Sequence, residues 1–174
     1  MDAPVSGAIA KAKDATLAIM AGGRREALQK AEPVLRAIGK DLFHVGPVGA
    51  GHAVKALNNY LGAAGTLAGF EALLIAQAFG LEPQPMLEAI NASTGRNNST
   101  ENKFEQFILN EKYNSGFALG LMAKDITLAM EVAEKCGVPA ELGKATLEMW
   151  KQAEKELGGG ADHTAIARYV NDRK

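Results

Sequence analysis

With 174 residues, 47% of them hydrophobic, the chain can bury the core of one sizeable domain, or of a domain with part of another, which excludes an intrinsically disordered segment. A formal net charge of -1, with no long run of one sign, argues against nucleic acid or an anionic membrane as the main partner. The lone Cys136 excludes an internal disulfide; no apolar stretch reads as long enough to span a bilayer and the N-terminus is no signal peptide, so a soluble, cytoplasmic protein is expected.

Three short strand-like pieces come first, at residues 3–6, 16–20 and 42–45. Between the last two, Ala27, Leu28, Ala31, Val34, Leu35 and Ile38 fall on one face of a helix predicted over 24–38. Gly46-Pro47 breaks the chain, and helix is expected from there to the end. The first such helix, 49–79, holds about 30 residues without a strong breaker and would be ~45 Å long, a central spine rather than one wall of a small core. Gly80 suits its stop, and Pro83 and Pro85 open a short helix ending near Asn91. A polar loop is expected over 93–102, then helices over 103–109, 119–136 and 140–157. Asp162 caps a last helix through Val170.

Gly49-Ala50-Gly51 stands between a strand and a helix and partly mimics a dinucleotide-binding fingerprint. It is rejected, because Val54 takes the place of the third small residue and no second strand follows within βαβ length. Glycines at a helix start serve close packing or close ligand approach equally well.

Three segments carry chemistry. In Asp2-Ala3-Pro4-Val5-Ser6-Gly7 a strand ends on a hydroxyl and successive backbone N–H groups, an array suited to a carboxylate but also to an ordinary strand exit. Lys55, Asn58 and Asn59 share one helix face, extended by Gly51 and Gly62, which leaves room for a small polar ligand; the alternative is a solvated stripe. Lys124 and Asp125 are charges in the otherwise apolar start of a helix after Gly116-Phe117, and taken alone read as a solvated face. No metal-ligand set is read.

Taken together, DAPVSG, the G-x-G-x-x-x-K-x-x-N-N stretch over 49–59 and GFALGLMAKD, in this order, resemble the β-hydroxyacid dehydrogenases of the 3-hydroxyisobutyrate dehydrogenase type. TGRNNSTENKF and EKCGVPAEL support the resemblance, which covers essentially the whole chain. It implies a mainly α fold: a 6-phosphogluconate dehydrogenase-like C-terminal helical domain over 47–174 with a long central helix, for substrate binding and dimerisation. Before it, residues 1–46 would be a small β/α remnant, the C-terminal edge of a nucleotide-binding Rossmann domain. Two departures stand out. Ala8 replaces a second glycine and would crowd one amide of the carboxylate site. Met1 directly precedes DAPVSG, where family members begin with a full Rossmann unit, so the chain reads as truncated and inactive by itself.

The resemblance implies an NAD- or NADP-dependent oxidoreductase that interconverts a small β-hydroxyacid and its semialdehyde or oxoacid. Lys55 would be its catalytic acid/base; a free lysine has a pKa of ~10.4, and partial desolvation would bring it towards the useful range. Ser6, Gly7, Asn58 and Asn59 would bind substrate, and Phe117, Lys124 and Asp125 would lie near the cofactor. A homodimer or larger homo-oligomer is expected, since a long helix has apolar flanks that one small core cannot cover. The rival reading is a non-catalytic helical self-association module, in which Gly62, Gly65 and Gly69 let helices approach closely.

Overall fold

Strand alternation builds the first part of the molecule. In the computed structural model, which describes residues 1–173, β2 (Leu17–Gly22) buries Leu17, Ile19 and Ala21 on one face, as period-two patterning requires. It is the middle strand of three. β1 (Val5–Ser6) pairs with it antiparallel, Ser6 opposite Ala18. β3 (Gly39–Gly46) pairs with it parallel, Leu42 opposite Ile19. Parallel neighbours need a crossover, supplied by α2 (Arg25–Arg36). Its expected apolar face is only partly covered: Val34 is 70% and Ile38 45% exposed. A short helix not foreseen, α1 (Ala8–Lys13), lies between β1 and β2 and buries nothing.

The chain divides into two compact units, Met1–Asn58 and Asn59–Lys174. The first turns of α3 (Ala50–Phe79) pack within the first unit: a Cβ added at Gly51 would collide with the Met20 carbonyl oxygen.

In the second unit, α3 turns Ala63, Thr66, Leu67, Phe70, Leu73 and Ala76 inward. One core gathers Leu119, Met122 and Ile126 of α6 (Leu119–Lys135), Trp150 of α7 (Glu141–Leu157), and Ile166 and Tyr169 of α8 (Ile166–Asn171). Another joins Phe70 and Leu73 to Leu87 of α4 (Pro83–Asn91) and to Phe104 and Ile108. The protein is 64% helical with a small three-stranded sheet, the mainly α class expected.

Three expectations need correction. The helix over 103–109 is a π-helical turn, Phe104–Ile108. The polar loop over 93–102 contains α5 (Asn98–Asn102), started by a capping box: the Asn97 side chain accepts from the Ser99 and Thr100 amides at 2.8 and 3.1 Å, and the Thr100 hydroxyl accepts from the Asn97 amide at 2.9 Å. Such reciprocal capping starts a helix in a sequence that otherwise reads as turn. Finally, α3 is long and apolar enough to cross a membrane by length and composition, with a mean hydropathy of 1.4 over its 18-residue window. Its polar residues are spread too thinly to interrupt that window, yet its inward stripe is part of the protein core.

Candidate functional site

In the first unit, Ser6 ends β1 half-buried. Gly7 follows at φ 141°, where a Cβ would lie 2.6 Å from that of Lys11, so only glycine fits the turn. Ala8 has φ 55°. A residue with a Cβ is strained there by about 1–2 kcal/mol, so Ala8 bears on the backbone as well as on the space around it. On α3, Lys55 is half-buried, Asn58 exposed and Asn59 buried, so the three occupy one face at different depths.

The turn before α3 is occupied from elsewhere in the chain. Asp2 is buried and its carboxylate accepts from the amides of Gly49 and His52 at 2.7 and 2.9 Å, with the His52 Nδ1 at 3.1 Å. Burial opposes the Asp2 charge, but these amides and the imidazole outweigh it and hold the carboxyl below its usual range. Gly49-Ala50-Gly51 is thus unfit for a pyrophosphate: the Gly49 amide already faces the Asp2 carboxylate, and the Ala50 amide donates to the Pro47 carbonyl at 3.0 Å.

In the second unit, Asn59, Lys124 and Asp125 are brought together. Asp125 is buried and accepts from the Asn59 amide at 2.5 Å through one oxygen, while the other lies 2.7 Å from the Lys124 ammonium. Both oxygens are engaged, so Asp125 orients its neighbours. Lys124 keeps its side chain 59% exposed, available to a polar group arriving from solvent. Phe117 is half-buried, its ring edge-on to His163 at 5.6 Å between centroids.

A second polar cluster fixes the segment that carries Phe117. Asp162 accepts from the Ser115 hydroxyl at 3.0 Å, the Gly116 amide at 2.8 Å and the Thr164 amide at 2.9 Å. His163 Nδ1 lies 2.9 Å from the Ser115 oxygen, and its ring stacks on Trp150. Burial opposes ionisation of Asp162, but these donors prevail and its pKa is lowered. Burial is also the main reason the His163 pKa falls to about 4; the Lys103 charge adds to this, while Asp162 and the Phe117 carbonyl oppose it.

Sequence reasoning missed Asp2 and the Ser115–Asp162 clasp, whose partners lie 47 residues apart in each case. The only local signals were an acidic residue ahead of a strand and the capping role already expected of Asp162.

Known proteins share these elements in the same order. Residues 49–170 match the family described as NAD-binding of NADP-dependent 3-hydroxyisobutyrate dehydrogenase, and residues 1–46 match the NAD binding domain of 6-phosphogluconate dehydrogenase. A 2-(hydroxymethyl)glutarate dehydrogenase from Eubacterium barkeri is 38% identical over 97% of this chain and 56% of its own length. An NAD-dependent L-serine dehydrogenase from Pseudomonas aeruginosa is 37% identical over 97% of this chain and 58% of its own. Among solved structures, Mycobacterium tuberculosis 3-hydroxyisobutyrate dehydrogenase with L-serine superposes with a TM-score of 0.87 at 32% identity, over 97% of this chain and 60% of that one. Fold and sequence together define a helical domain of the 6-phosphogluconate dehydrogenase-like class preceded by the edge of a nucleotide-binding sheet. The chain belongs to the β-hydroxyacid dehydrogenase family of the 3-hydroxyisobutyrate dehydrogenase type, and it spans little more than half the length of the relatives it matches.

Proposed function

We propose that this chain supplies the substrate-binding and proton-transfer residues of an NAD- or NADP-dependent oxidoreductase acting on a small β-hydroxyacid. The observation that carries this reading is the polar face of α3 within a family of hydroxyacid dehydrogenases: half-buried Lys55 stands one turn before Asn59, whose amide is held by the buried Asp125. A nicotinamide, when bound, accepts hydride from the hydroxyl-bearing carbon or returns it to the carbonyl. Lys55 takes the hydroxyl proton in oxidation and donates one to the carbonyl oxygen in reduction. Asn58 and Asn59 orient substrate and amine. The Ser6 hydroxyl and Gly7 amide grip the carboxylate. Lys124, steadied by Asp125, and Phe117 serve the cofactor's nicotinamide end; nothing in the Gly49–Gly51 turn suits its pyrophosphate.

Lys55→Ala in the full-length protein, assayed with a panel of β-hydroxyacids and both cofactors, is expected to lower kcat about 10²–10⁴-fold, the usual worth of a general acid–base group. Turnover near wild type would remove Lys55 from the proton-transfer role.

The family assignment stands against the rival self-association module, and two of its three glycines are used within the chain: a Cβ at Gly65 would meet Asn97 at 3.4 Å, and one at Gly69 would meet Phe104 at 3.0 Å. Self-association nevertheless belongs to the proposed function by another face. Val54, Leu61, Ala68 and Ile75 recur every seven residues on the exposed side of α3, with Leu57 and Phe79 beside them. An apolar residue recurring every seven positions, with further apolar side chains beside it, suits helix pairing, and we assign this face to a homodimer or larger homo-oligomer.

A further inference from the structure

We infer that Asp2 is a positioning residue, whose carboxylate sets the rotation of the first turn of α3 against the strand that ends in Ser6 and so aims Lys55. This rests on the functional reading just given.

The first amides of an α-helix have no intrahelical acceptor, and a Ser, Thr, Asp or Asn immediately before the helix ordinarily supplies one. Here the residue at that position is Gly49, at φ 94° and without a side chain. The acceptor comes instead from Asp2, 47 residues from Gly49 and 50 from His52. Burying a carboxylate is costly unless it is fully hydrogen-bonded, so a local cap would be the cheaper way merely to start a helix. What a distant cap adds is a tie between two elements.

That tie is geometrically specific. One oxygen takes the Gly49 amide and the other the His52 amide, which fixes both the height and the rotation of the turn. The backbone around Asp2 is locked to the sheet: its amide donates to the Gly22 carbonyl at 3.0 Å, and the Gly22 amide donates back at 2.9 Å. Two glycines make room for the carboxylate. A Cβ at Gly22 would lie 2.5 Å from Asp2 Oδ1, and one at Gly51 would lie 2.8 Å from Oδ2. Ser6 is four residues along the same strand segment, and Lys55 is three residues along the helix from His52. A slip of one residue at the start of α3 would rotate Lys55 by about 100°. The carboxylate therefore joins the proposed carboxylate grip and the proposed proton carrier through a single buried group.

The test is steady-state kinetics of Asp2→Asn and Asp2→Ala in the full-length protein, together with amide hydrogen exchange at Gly49 and His52. Asp2→Asn is nearly isosteric and keeps one acceptor, so it remains decisive if Asp2→Ala does not fold. Expected are faster exchange at both amides, a kcat lowered about 10–100-fold, the scale of a misplacement of roughly 1 Å, and an unchanged KM for the cofactor. Asp2→Asn should fall between wild type and Asp2→Ala. Wild-type kcat in a folded Asp2→Asn with accelerated exchange would overturn the positioning role, and unchanged exchange would overturn the tie itself. Failure of the underlying reading shows separately, as a wild-type protein without dehydrogenase turnover, and would overturn the inference with it.

Discussion

Lowering the pH from 8 to 5 should weaken the helical unit through one side chain. His163 is 5% exposed, and its pKa is about 4 against 6.5 for the unperturbed group. Above pH 6.5 both folded and unfolded chains hold it neutral. Between pH 6.5 and 4 the unfolded chain takes up a proton that the folded one refuses, so stability falls as pH falls through that window. The two pKa values correspond to a loss of about 2 kcal/mol at pH 5 and about 3 kcal/mol at pH 4. The lowered carboxyl pKa values of Asp2, Asp162 and Glu156 act in the same direction but below the ordinary carboxylate range, so the interval from pH 5 to 6.5 isolates His163 from them. Trp150 is the only tryptophan, is fully buried and stacks on the His163 ring. Its fluorescence during urea unfolding at pH 8 and pH 5 reports the unit directly. Wild type should lose about 2 kcal/mol, a midpoint shift of roughly 1 M for an ordinary urea slope. His163→Gln, which keeps a donor for Ser115, should lose much less. Equal stability of wild type at the two pH values, or the same loss in the variant, would refute the assignment.

Asp125→Ala should lower stability by about 1–3 kcal/mol in thermal or urea unfolding, because it leaves the buried Asn59 amide without its carboxylate; a neutral result would mean that water replaces it. Ala8→Gly should raise stability by about 1 kcal/mol, relieving the positive φ, and unchanged urea midpoints would contradict that strain. Leu61→Glu combined with Ile75→Glu, on side chains 69% and 70% exposed, should convert an oligomer to a monomer in sedimentation velocity without lowering helix content. A monomeric wild type at high micromolar concentration would dispose of the α3 seam.

Several features could be read from the sequence because their causes are local. The 30-residue run of α3 has no proline or helix-stopping turn inside it. The alternation in β2 declares its buried face. The spacing of Lys55, Asn58 and Asn59 puts them on one helical face whatever surrounds the helix, and three ordered motifs were enough to indicate the family. Tertiary structure decided what depends on residues far apart in the chain. It made Asn59 a buried donor to Asp125, gave the Gly49–Gly51 turn to Asp2, and joined Ser115 to Asp162. No periodicity or propensity announces a hydrogen bond across 47 or 66 residues, because such bonds arise only once packing has removed the alternative of water. α5 lies between these cases: the Asn97 and Thr100 pair that caps it was in plain view, but capping outweighs turn propensity only where Ser99 and Thr100 are also buried, and that burial comes from the fold.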